Sequence, residues 1–170
     1  SGPAVTVNSD NDLTIAAGGR VEILDTDENG ENLKLDDAIG VQVEDGVAGD
    51  ITHGGTISLI DTYVATPTDG PVIIDGQEFD DPEADGEFAE DTNKTGLLIG
   101  DLAADGVSAA AGQSGVTGGV LLDANSTVNV AGQDSFGVRS VTGVSGDFQA
   151  NGRITVRGEN SRALSIEDTV

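Results

Sequence analysis

Apolar and polar residues alternate along most of this chain in short runs, and the runs are separated by turns rich in Gly, Asn and Asp. Residues 4–7 and 13–24 read as strands joined by the polar turn Asn8, Ser9, Asp10, Asn11 and Asp12. A period of two marks half-buried strands, and no stretch shows the 3.6-residue period of an amphipathic helix.

The runs are related to one another. Residues 146–156 (GDFQANGRITV) resemble 49–59 (GDITHGGTISL), 100–110 (GDLAADGVSAA) and 13–23 (LTIAAGGRVEI). Ile15, Val21 and Ile23 match Phe148, Ile154 and Val156 at an offset of 133. Residues 40–50 match 137–147 without gaps at an offset of 97, with three glycines, two valines and Asp50/Asp147 coinciding. Residues 118–130 match 144–156 at an offset of 26, which sets Leu122 under Phe148 and Val128 under Ile154. The same offset sets Gly132 under Gly158, Ser135 under Ser161 and Val138 under Leu164.

A strand repeat of this length cannot bury its apolar face alone, so neighbouring copies must stack. Coiling the chain so that like strands lie parallel, about 4.8 Å apart, joins each copy to the next by backbone hydrogen bonds. The predicted fold is therefore all-β: a parallel β-helix of about five coils and a partial one. Its expected interior columns are Val41/Val138/Leu164, Ile51/Leu102/Leu122/Phe148 and Ile57/Val128/Ile154. An antiparallel β-sandwich is the alternative for short strands with Gly turns.

Two stretches break the pattern. Residues 25–37 hold six acids and one Lys, and residues 61–95 hold eleven acids, one Lys and three of the four prolines. Together they carry 17 of the 31 acids in 48 residues, so they read as acidic loops thrown out from a regular scaffold, with a small strand at 72–74 in the second. Residues 4–170 then form a single domain with insertions at 25–37 and 61–95, and Ser1, Gly2 and Pro3 read as a cloning remnant.

Composition narrows the function. The net charge is −24 with no basic cluster, which excludes binding to a nucleic-acid backbone and disfavours bare anionic membranes. No apolar run approaches the 18 residues of a membrane-spanning helix. The chain has no Cys, Met or Trp, so its core must be built from Val, Ile, Leu and Ala.

The Gly49–Leu59 copy and the run from Gly152 through Arg153, Ile154, Thr155, Val156, Arg157 and Gly158 to Ser161 resemble the degenerate repeats of bacterial autotransporter (type V secretion) passenger domains. The resemblance covers most of the chain outside the two insertions. It implies a right-handed β-helix at the bacterial cell surface or outside the cell, tethered by a β-barrel lying beyond this segment. Family functions run from adhesion and aggregation to protease or esterase activity. No residues here match the motifs of the enzymatic members.

The most specific chemical motif begins at Asp25. Asp25, Asp27, Asn29 and Glu31, with the turn residue Gly30 and Asp36 at the twelfth position, follow the opening of a calcium-binding loop. A weaker version, Asp81, Glu83, Asp85 and Gly86, contains Pro82. If the two loops lie side by side, repulsion between them favours a bound cation. Asp50, Asp101 and Asp147 are expected at one repeat position, as turn residues. His53, placed at a turn, has no partner in the sequence that points to catalysis or metal binding. Arg139, Arg153, Arg157 and Arg162 read as separate surface charges, with Arg157 and Arg162 offsetting Glu159 and Glu167. The expectation is a non-catalytic surface module for adhesion, self-association or scaffolding, engaging a surface partner or glycan. The alternative, a polysaccharide lyase or hydrolase, requires carboxylates clustered with Lys or Arg along a groove.

Overall fold

The computed structural model describes residues 2–24, 35–60, 72–74, 77–79 and 91–168. Its strands are β1 (Val5–Val7), β2 (Leu13–Ile15), β3 (Arg20–Glu22), β4 (Ile39–Val43), β5 (Ile51–His53), β6 (Thr56–Leu59), β7 (Val72–Ile74), β8 (Gln77–Phe79), β9 (Thr95–Ile99), β10 (Val120–Leu122), β11 (Thr127–Ala131), β12 (Phe136–Ser140), β13 (Phe148–Ala150), β14 (Arg153–Arg157) and β15 (Arg162–Ile166). There is no helix among the described residues.

The strands form a parallel β-helix with three faces. Sheet A stacks β1, β4, β9, β12 and β15; sheet B stacks β2, β5, β10 and β13; sheet C stacks β3, β6, β11 and β14. Each coil runs A to B to C, which gives four complete coils and the opening strand of a fifth. Strands β7 and β8 pair antiparallel apart from the three sheets, so the short strand expected at 72–74 is half of a hairpin.

The interior is a set of aliphatic columns. On sheet A, Leu97 stands between Val41 and Val138, and the column continues to Leu164. On sheet C, Val21, Ile57, Val128 and Ile154 share a register, as expected for the last three. Ile57, Val128, Val41 and Val138 are fully buried, and burying each such side chain contributes roughly 1.5–3 kcal/mol. Small residues are required where sheets A and C converge. A side-chain carbon added at Gly40 would fall 2.9 Å from Ile57 and Leu59, and one at Gly96 would fall 2.6 Å from Val128. At Gly137 it would fall 2.3 Å from Ile154.

Sheet B corrects the expected register. Val120, not Leu122, lies beside Phe148 and Ile51, and Leu122 lies between His53 and Ala150. Leu13, not Ile15, takes the Phe148 row in the first coil. The cause is turn length between sheets B and C: four residues in the first and third coils, two in the second and fourth. A single offset therefore cannot hold on both sides of that turn. The two-residue turns fit between the wider ones, where a side chain at Gly55 would sit 2.2 Å from the Gly19 carbonyl.

The coil expected at 100–110 does not exist, and Leu102 leaves the interior column. The chain instead makes a hairpin after β9, with Leu102 bridging Ala109 antiparallel and β10 returning directly beside β5. The Ala-rich segment lacks the large aliphatics that a coil must bury. The Asp105 carboxylate accepts the amides of Val107 and Ser108 and the Ser108 hydroxyl. These donors, the Ser108 hydroxyl first, hold its pKa down to about 2. Gln113 closes the base, accepting the Asp101 amide and donating to the carbonyls of Ala110 and Val141. A carbon added at the tip residue Gly106 would lie 4.0 Å from Asp37, so the hairpin folds back along the outside of sheet A. Leu98, in the outward row with Gln42 and Arg139, is fully buried.

Candidate functional site

The corner from sheet C to sheet A is turned four times, and its backbone repeats. Asp37, Asn93, Asp134 and Asn160 each stand two residues before a sheet A strand with φ of 59°, 57°, 50° and 55°. Asp and Asn tolerate this left-handed conformation because their short side chains bond locally. Successive corners are laced by backbone bonds: Asp37 N to Thr92 O, Asn93 N to Gln133 O and Asp134 N to Glu159 O.

Both acidic insertions belong to this corner, in consecutive coils. The first lies between β3 and β4 and the second between β6 and β9. Leu24 and Ile60, which precede them, are 60% and 40% exposed. The insertions are shorter than expected at their C-terminal ends. Leu35 and Ala38 lie in the core, and Asp91, Lys94 and Thr95 are buried, so residues 35–37 and 91–95 belong to the coils.

The returning segments bind each other. The Asp36 carboxylate accepts the Thr92 amide at 2.9 Å and the Thr92 hydroxyl at 3.3 Å. Asp91 Oδ2 accepts the Leu35 amide at 3.1 Å and pairs with Lys94 Nζ at 3.0 Å. Lys94 is the largest fully buried side chain among the described residues. It stands where the adjacent coils have Ala38 and Ser135, and Asp91 stands where they have Leu35 and Gly132. An ion pair thus replaces an aliphatic contact at the root of the longer insertion. Nothing in the sequence pattern singled out either residue. Counting back from each sheet A strand to the Asp or Asn would have placed both inside.

Of the candidate calcium ligands, Asp25, Asp27, Asn29 and Glu31 lie outside the described residues, as do Asp81, Glu83 and Asp85. Asp36 is in place at the corner, bonded to Thr92. Among the described residues no group of three or more His, Asp or Glu side chains is placed to hold a metal ion.

The aspartate column is real but differently composed. Asp12, Asp50, Gly119 and Asp147 precede the sheet B strands, and Asp101 sits instead in the hairpin. Asp12 accepts the Asp50 amide at 2.9 Å, and Asp50 accepts the Gly119 amide at 2.8 Å, so each caps the coil above it. Asp45 does similar work: its carboxylate accepts the amides of Ser114 and Gly115 and the Thr142 hydroxyl. Partial burial opposes its charged form, but these donors prevail and its pKa lies below the usual range.

Searched against known families, curated proteins and solved structures, the chain matches none. Geometry places the remaining candidates. Glu167 is hydrogen-bonded by Arg139, at 2.7 and 3.0 Å, and the charge of Arg162 acts on it more weakly. Those bonds hold the Glu167 carboxyl below its ordinary pKa. The Arg139 guanidinium also lies 4.5 Å from the Phe136 ring centroid, which is stacking distance. His53 is the last residue of β5 and 1% exposed, so it belongs to the core and not to a surface turn. The shallow groove over sheet B carries Asp50 and Asp147 with Thr52 and Gln149, and no basic side chain lines it. No helix of the described residues is long and apolar enough to cross a membrane.

Proposed function

We propose that this chain is a non-catalytic module of a cell-surface or secreted protein, acting in adhesion, self-association or as a surface scaffold. The β-helix is the support, and the two acidic insertions at one corner are the working part. The observation that carries this reading is their common root: Asp36, Thr92, Asp91 and Lys94 tie adjacent insertions into one fixture. Residues 25–34 and 61–90 hold fourteen acids and one Lys, a net −13 of the chain's −24. Such a concentration of one sign steers a cationic partner, or a cation bridging to a glycan or second copy. The repeats' likeness to autotransporter passengers supports a surface location, with a tethering β-barrel outside this segment.

Calcium is part of the same reading. Asp25, Asp27, Asn29 and Glu31 would supply oxygens from the first insertion, and Asp36 would join them to the corner. Calcium should then raise the melting temperature and EDTA reverse it; absence of any shift rules the ion out. The main test deletes residues 61–90, so that Ile60 joins Asp91 as Ala131 joins Gly132 in the next coil. The variant should fold and lose self-association or cell binding about tenfold or more, some 1.4 kcal/mol. Unchanged association, or turnover of an acidic polysaccharide by the intact chain, would overturn the reading.

A further inference from the structure

His53 is an ionisable side chain in the apolar column of sheet B, between Ile15 and Leu122, with Ala150 beyond. Its Nε2 lies 3.2 Å from the Thr127 carbonyl oxygen. A carbonyl only accepts, so Nε2 carries the proton and Nδ1 is a bare lone pair. Nδ1 is buried and has no hydrogen-bond partner, and His53 as a whole is 1% exposed.

The surroundings fix what a second proton would meet. The Thr127 carbonyl meets Nε2 of the ring, and the neighbours in the column are hydrocarbon. The charged group facing the ring is Asp123, in the turn after β10. Arg20 and Arg153 begin the adjoining sheet C strands but stand exposed on the outward row. The turn that follows His53, Gly54 and Gly55, is held tightly on both sides. Gly54 N bonds Ile15 O, Thr56 N bonds Gly19 O, Asp123 N bonds His53 O and Thr127 N bonds Gly55 O. A carbon added at Gly54 would fall 2.6 Å from Asp123 Oδ2, so the turn itself is closely packed against that carboxylate.

We propose that His53 is an acid-sensitive latch: its protonation places an unpaired N–H and a charge inside the second coil and loosens the corner between sheets B and C. Burial of the ring lowers its pKa, against the weaker opposing pulls of Thr127 and Asp123, in agreement with this geometry. The sign follows from linkage. Above the ordinary histidine value of about 6.5 the ring is neutral folded or unfolded, and the latch is closed. Below it the unfolded chain takes up the proton more readily, so stability falls as pH falls.

His53 is the only histidine, so its ring resonances are unambiguous. An NMR titration of the intact chain should show a neutral ring, protonated at Nε2, persisting below about pH 6.5 or until the fold opens. As pH falls below about 6.5 the folding constant of the wild type should fall relative to His53→Gln, with about tenfold per pH unit as the limiting slope for one proton. The difference between the two proteins cancels the shared titration of the carboxylates. A ring that titrates at or above its ordinary value in the folded chain would overturn the proposal, as would identical pH slopes in the two proteins. If His53→Gln does not fold, the wild-type ring titration decides alone.

Discussion

The corner between sheets C and A is built one way in the first turn and another in the second. Leu35 and Ala38 close the first with hydrocarbon, while Asp91 and Lys94 close the second with a buried ion pair on the same backbone. The third and fourth turns need only Gly132 to Ser135 and Gly158 to Ser161. What the fold demands is thereby separated from what it tolerates. It demands the left-handed Asp or Asn and the stacked amides. It tolerates insertions of ten and thirty residues just before them, because length added outside the stack leaves the register untouched.

The largest effect should come from breaking the pair. Lys94→Met leaves the Asp91 carboxylate buried without its cation and should cost about 3–5 kcal/mol by chemical denaturation. Asp91→Leu combined with Lys94→Ala copies the preceding corner and should recover most of that loss. If the double variant is as unstable as the single one, the two corners are not equivalent.

Next is the convergence of sheets A and C. Gly96→Ala should cost about 1–3 kcal/mol, because the added methyl meets the Gly137 carbonyl at 2.5 Å and Val128 at 2.6 Å. The same substitution at Gly46 meets nothing within 4 Å and bears only the penalty of its φ of 79°.

The smallest effect is acid sensitivity outside the insertions. Asp45, Asp105 and Glu167 have pKa values below their ordinary ones, so each contributes stability above about pH 4 that is lost as pH falls further. Asp45→Asn should flatten part of that fall in a melting-temperature series from pH 6 to 3. An unchanged slope would mean that the Asp45 clamp on Ser114 and Gly115 contributes little.

The sequence carried the fold further than it carried the corner. The offset of 97 held from Gly40 through Asp50 because no residue is gained or lost between sheets A and B in those two coils. The offset of 26 held on sheet C and failed on sheet B, where turns of two and four residues exchange. Gly100 to Ala110 imitates a coil because hairpins and coil corners draw on the same Gly and Asp turns. Lys94 was hidden by its acidic neighbours, which made it look like part of a solvated loop. The calcium motif could be read only as a spacing of oxygens, of which Asp36 alone lies within the described residues.

If both insertions are grafted onto a β-helix that stands without them, the coils should survive their removal. Amide hydrogen exchange reads this residue by residue, on a variant with residues 25–34 and 61–90 both deleted, which joins Leu24 to Leu35 and Ile60 to Asp91. The amides of β4, β6, β9 and β11 should keep their wild-type protection. Loss of protection across β4 and β9 would show instead that the insertions hold the coils together, and the graft would be contradicted.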